Sequence, residues 1–88
     1  MRIIELATRG VDVDYDVARG MADLLASKLA GEVMPVAWYD GKAGKGYPDV
    51  KECTGDVPGW LAYAQSHGGD VRVNLNGEEF VFIYCPVG

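Results

Sequence analysis

Soft and imidazole metal ligands are nearly absent from this chain, which has two cysteines, Cys53 and Cys85, and one histidine, His67. Two thiols are too few for a disulfide framework, and a reducing compartment keeps them free. Scattered through a loop, a strand end and a helix end, the three have neither the CxxC nor the HxxxH spacing of a zinc site, so no metal is expected. Positive charge is scarce too. Eight Lys and Arg against thirteen Asp and Glu give a formal charge of -5, which argues against nucleic acid, whose phosphates bind clustered cations. No apolar run approaches the roughly 18 residues that span a bilayer, and Met1 to Gly10 carries Arg2, Glu5 and Arg9 where a signal peptide has its apolar core. A cytoplasmic protein with no membrane partner is the expectation. Internal repeats and low-complexity tracts are also missing.

What is present is an ordinary globular composition. The 88 residues are 49% hydrophobic and 24% charged, enough for one small core and therefore one domain, residues 1–88. Its centre is the stretch Asp70 to Cys85, DVRVNLNGEEFVFIYC, two β-rich runs around Asn76-Gly77. That dipeptide suits a two-residue type I′ turn, because both positions tolerate positive φ. Such a turn sets Val73 opposite Phe80 and Val71 opposite Phe82. One face then carries Val71, Val73, Leu75, Phe80, Phe82 and Tyr84, the other Val81, Ile83 and Cys85. A strand apolar on both sides belongs inside a sheet.

Upstream, Arg2 to Ala7 (RIIELA) is a second candidate central strand, again apolar on both faces. From Tyr15 the apolar residues Val17, Met21, Leu24, Leu25 and Leu29 recur at helical spacing, which predicts an amphipathic helix with Asp14 as N-cap and Gly31 as its stop. Glu32 to Tyr39 is β-prone, but Pro35 lacks an N–H and points to an edge strand or a bulge. Asp40 to Gly55 reads as a loop of about sixteen residues, long enough to suspect function. A second helix opens near Val57 with Pro58 in its first turn and ends at His67 before Gly68-Gly69. The order is β-α-β-α-β-β. The simplest architecture is an α+β two-layer sandwich, a four-stranded mixed sheet under two helices with a C-terminal β-hairpin. If both helices lie on one face, the other is an apolar surface to be covered by the long loop, with Trp38, Tyr39 and Tyr47 near it, or by a second copy, and a homo-oligomer or a protein partner is expected.

Several short patterns imitate known sites. DGKAGKGY (Asp40 to Tyr47) resembles a phosphate-binding loop, but it lacks the leading glycine at Tyr39 and the hydroxyl at Gly46, so solvated lysines on a turn are the plainer reading. Asp12, Asp14, Asp16 and Asp23 imitate a calcium loop, yet Val17 stands where the turn requires glycine, and capping acids explain them better. Cys85 reads as a small core residue and His67 as a complement to a helix dipole. Cys53, close to a helix N-terminus and to Lys51, is a candidate for a lowered thiol pKa, although no base or resolving thiol is placed beside it. Trp38, Tyr39, Tyr47, Trp60 and Tyr63 surround the long loop. A candidate ligand pocket is drawn from Cys53, His67, Trp38, Tyr47, Trp60 and Lys45, although core or loop packing is the plainer reading of the aromatics. No catalytic residue and no cofactor is assigned.

AWYDGKAGK (Ala37 to Lys45), PGWLAYAQSHGGD (Pro58 to Asp70) and EEFVFIY (Glu78 to Tyr84) resemble segments of a small uncharacterised archaeal and bacterial family of about this length. The resemblance implies a compact α/β domain and carries no catalytic residues. The leading functional expectation is a non-enzymatic domain acting by association through its apolar sheet face. The alternative is ligand or thiol chemistry at the 40–55 loop, Cys53 and helix 57–67.

Overall fold

The computed structural model describes residues 1–49 and 57–87. In chain order the elements are β1 (Arg2–Leu6), α1 (Tyr15–Ala30), β2 (Val33–Asp40), β3 (Lys45–Tyr47), α2 (Gly59–Ser66), β4 (Val71–Leu75) and β5 (Phe80–Pro86). The strands form one mixed sheet in the order β1-β4-β5-β2-β3, with β1 parallel to β4 and the other neighbours antiparallel. The α+β class stands. The sheet has five strands, one more than the sequence suggested.

The additional strand comes from the supposed loop. Lys45–Tyr47 turns back on Asp40, Tyr39 and Trp38 of β2. Asp40 Oδ1 nucleates the reversal by accepting from the backbone N–H groups of Lys42 and Ala43, each at 3.1 Å, so the phosphate-loop imitation is an Asx turn. Three residues with Gly46 at their centre, between Gly44 and Pro48, give no β signal in sequence. Gly46 is required for a different reason: a Cβ there would lie 2.0 Å from Trp60 Cδ1, so the indole packs directly on the backbone of β3.

β5 occupies the middle of the sheet, as its two apolar faces demand. Val81 and Ile83 are fully buried on one side, and Phe80, Phe82 and Tyr84 are nearly so on the other. The hairpin differs in register from the two-residue turn. Leu75 faces Phe80, Val73 faces Phe82 and Val71 faces Tyr84, which leaves four residues, Asn76 to Glu79, in the connection. Two effects favour the longer loop. It keeps both glutamates off the ladder, and it frees the Asn76 side chain, which accepts from Thr8 N at 2.8 Å and donates to Thr8 Oγ1 at 2.9 Å and Glu79 Oε2 at 3.0 Å. A shift of two residues leaves every side chain on its face.

The helices lie on opposite faces of the sheet, so the molecule has three layers and not two. α1 covers Val71, Val73, Leu75, Phe80, Phe82 and Tyr84; Trp60 and Ala64 of α2 pack with Ala37, Val81 and Ile83. The apolar face left open by a two-layer arrangement is thus closed by α2. α1 has the foreseen caps: Asp14 Oδ1 accepts from Val17 N at 2.9 Å, and Gly31 N donates to Ser27 O at 2.9 Å. Its buried stripe is not the foreseen one. Ala18, Ala22 and Ala26 are fully buried, whereas Val17, Leu24 and Leu29 are exposed. The sheet beneath supplies the bulk through two phenylalanines and a tyrosine, so methyl side chains at i, i+4 and i+8 let the helix axis come close.

β1 lies at the sheet's edge and not inside it, with Ile3 59% exposed. Its apolar residues divide between an α1 face (Ile4, Leu6) and a face where Glu5 accepts from Asn74 Nδ2 at 3.0 Å. β2 is interior only along Trp38–Asp40, where β3 pairs with it. Its Pro35 half forms an edge on that side and is irregular at Pro35/Ala37, which gives the missing N–H of proline a place without a partner.

Candidate functional site

Consecutive residues of a strand point to opposite faces, and this divides the aromatic cluster proposed as one pocket. Trp38 and Tyr47 are cross-strand partners on the α1 face, ring centroids 5.6 Å apart and interplanar angle 24°. Tyr39 points to the α2 face and stacks on Trp60 at 5.4 Å and 14°. Of the candidate ligand residues that are described, Trp38, Tyr47 and Lys45 share one face, while Trp60 of α2 and His67 at that helix's C-cap belong to the other. Lys45 lies on the α1 face opposite Asp40. His67 caps the far end of α2, its ring 3.8 Å from that of Tyr63 and its Nδ1 2.8 Å from Tyr63 O and 3.0 Å from Ser66 Oγ. Those local contacts account for it. Cys53 and Lys51 lie outside the described residues. Cys85 is half-buried, with Sγ donating to Pro86 O at 3.4 Å.

The acids that imitated a calcium loop have separate structural duties. Asp14 caps α1. Asp12 accepts from Lys42 Nζ at 2.8 Å, and the same ammonium donates to Val13 O at 2.7 Å and lies 3.8 Å from Glu79 Oε1. The bond to Asp12 holds the Lys42 ammonium above its ordinary pKa. Asp23 accepts from the Tyr84 hydroxyl at 2.5 Å. Burial, and then this bond, push the Tyr84 phenol well above its ordinary value. Among the described residues no group of three or more His, Cys, Asp or Glu could hold a metal ion.

Beside a hollow of about 190 Å³ lined by Gly44, Lys45, Gly46, Tyr47 and Asp49, three concavities stand out among the described residues. The largest, about 610 Å³, is an open groove between the β2–β3 turn, the start of α2 and the β4–β5 loop. Its charged groups are already paired: Lys42 with Asp12 and Glu79, and Glu78 with Arg72 at 3.7 Å. It offers a ligand little that is free. A second, of about 270 Å³, is lined by Tyr15, Trp38, Asp40 and Tyr47 on the α1 face. The third is wholly apolar in its lining, Leu6, Met21, Leu24 and Leu25, and lies between α1 and β1. Leu24 is 74% exposed there, unusual for a leucine in mid-helix beside other apolar residues. Val17 stands one turn before Met21 and is also exposed. α1 thus carries two apolar stripes, the alanines against the sheet and Val17, Met21, Leu24 and Leu25 beside its edge. The sequence had shown the second stripe and assigned it to the core.

Comparison with known proteins gives a family without an activity. The family model described as "Domain of unknown function (DUF5619)" matches residues 1–84. No curated protein matches the chain. A crystal structure of a novel protein from Archeoglobus fulgidus is similar over 100% of this chain and 96% of that one, with 27% identity and a TM-score of 0.82. The same fold is thus present in an archaeal protein, and no helix here is long and apolar enough to cross a membrane, among the described residues.

Proposed function

We propose that this chain, which belongs to the DUF5619 family, works by association with a second copy of itself, with no chemistry of its own. The observation that carries the reading is the apolar cleft of Leu6, Met21, Leu24 and Leu25 beside the outer edge of β1, which has no partner strand among the described residues. An edge strand offers a row of free N–H and C=O groups, and a two-fold axis normal to the sheet lets it pair with itself antiparallel. Centred on Ile4, that pairing sets Arg2 opposite Leu6 and Ile3 opposite Glu5 of the other copy. Both α1 helices then lie on the same side of a ten-stranded sheet, and their exposed stripes meet across the axis. Backbone pairing supplies register and the leucines supply apolar burial.

Sedimentation velocity across a concentration series tests this. The wild type is expected to form a dimer and Leu24→Glu a monomer. Because Leu24 is so exposed, that substitution should leave the unfolding free energy of the protomer within the ~0.5 kcal/mol typical of surface changes. A wild type that stays monomeric at high micromolar concentration would remove the proposal.

A further inference from the structure

Four side chains of the α1 face converge on a cavity that self-association does not use. Tyr15 from the first turn of α1, Trp38 and Asp40 from β2 and Tyr47 from β3 line about 270 Å³. The aromatic rings are held in place from behind: Tyr15 lies 6.4 Å from Phe80 and 5.8 Å from Phe82, and Trp38 is stacked on Tyr47. Asp40 spends Oδ1 on the backbone of Lys42 and Ala43, which leaves Oδ2 as its remaining acceptor. Three aromatic side chains and one carboxylate around a small space form an environment suited to an organic cation.

We infer that the Tyr15, Trp38, Tyr47 and Asp40 cavity binds an organic ammonium head group, with methylated ammonium the best fit. The size agrees with this. The volume falls below the ~300–1,000 Å³ of drug-sized sites, so a head group enters and the rest of its carrier stays outside. Charge agrees as well, since the chain's net charge of -5 favours cations at its surface. The chain already places one cation on this aromatic surface: Arg19 Cζ lies 5.6 Å over the Trp38 ring while its Nε sits 3.8 Å from Asp23. Lys45 faces Asp40 across the β2–β3 pair, yet the two are not within ion-pair distance among the described contacts. Among the described residues Arg19 and Lys45 are the positive charges set beside the lining side chains, and methyl groups favour a ligand over them because a quaternary ammonium is more weakly hydrated than either.

Two tryptophans on opposite faces of the sheet provide an internal control. In a titration of the intact protein with tetramethylammonium followed by NMR, the Trp38 indole N–H and the Asp40 and Tyr47 amides should shift saturably, while the Trp60 indole stays still. Asp40→Asn should weaken binding by about five- to tenfold and Arg19→Gln should tighten it, because one removes the carboxylate and the other a competing cation. Tyr47→Leu, at an exposed edge position, should abolish saturation with the fold intact. Choline and a trimethyl-lysine peptide, compared under the same conditions, distinguish a free small molecule from a modified chain as the source of the head group. Equal binding of the neutral tert-butyl isostere of choline, or no Trp38 shift into the tens of millimolar, overturns the inference.

Discussion

Replacing Gly46 by Ala adds one methyl group at the most tightly packed backbone position of the sheet's β3 edge. The new Cβ would sit 2.0 Å from Trp60 Cδ1, 2.6 Å from Cγ and 2.9 Å from Nε1, all far inside van der Waals contact. These are atoms near the root of the indole, which cannot swing clear as a flexible tip would. Trp60 is itself only 8% exposed and is stacked on Tyr39. Either the ring is driven out of its place against Val81 and Ile83, or β3 peels from β2. Overpacking of this kind costs about 1–3 kcal/mol, and the depth of the overlap points to the upper end. At about 4–8 °C per kcal/mol for a domain of this size, the melting temperature should fall by roughly 10–20 °C. Heat and urea unfolding followed by circular dichroism and tryptophan fluorescence would measure it. Gly20→Ala is the matched control, because a Cβ at that helical position meets nothing within 4 Å. It should stabilise by about 0.5–1 kcal/mol through helix propensity. A Gly46→Ala protein as stable as the wild type, with unaltered Trp60 emission, would refute the packing argument.

Asp14→Ala removes the side-chain acceptor for Val17 N and should cost about 1 kcal/mol in urea unfolding. Ala22→Leu forces a branched side chain between α1 and a sheet with no space left, Ala22 being fully buried. A loss of about 1–3 kcal/mol is expected, and a neutral result would mean that α1 lies farther from β5 than described. Tyr84 makes stability fall at alkaline pH. Its phenol is held neutral in the folded protein and ionises near pH 10 when unfolded, so its contribution is complete below about pH 10 and declines above it, by up to about 1.4 kcal/mol per unit. Unfolding measured from pH 8 to 11 should show a shallower alkaline limb for Tyr84→Phe, and identical limbs would remove the assignment.

Some of these positions are readable in the sequence and others are not. The interior place of β5 followed from apolar residues on both of its faces, and the α1 caps followed from Asp14 and Gly31. The Trp38 and Tyr39 division was available from the sequence, since the β-prone Glu32 to Tyr39 segment carries both and neighbours in a strand diverge. The α1 stripe misled for a physical reason. Periodicity ranks hydrophobic residues by size, while a helix over a sheet of large rings needs small ones, and alanine gives almost no periodic signal. β3 was concealed by glycine, which weakens a strand's signature and was selected here by Trp60.

The amino-acid sequence by itself determined the local pieces: a capped first helix, a second helix begun at a proline, a terminal hairpin with the correct faces, and a proline that restricts β2. These depend on neighbours a few residues apart, where backbone sterics and alternation of side chains act directly. Only the tertiary structure decided which face each helix covers, which strand forms the edge, and which leucines remain in solvent. Each of those depends on competition between distant segments for the same surface. α2 filled the face that would otherwise have been open, and the exposed apolar surface moved from the sheet to the flank of α1.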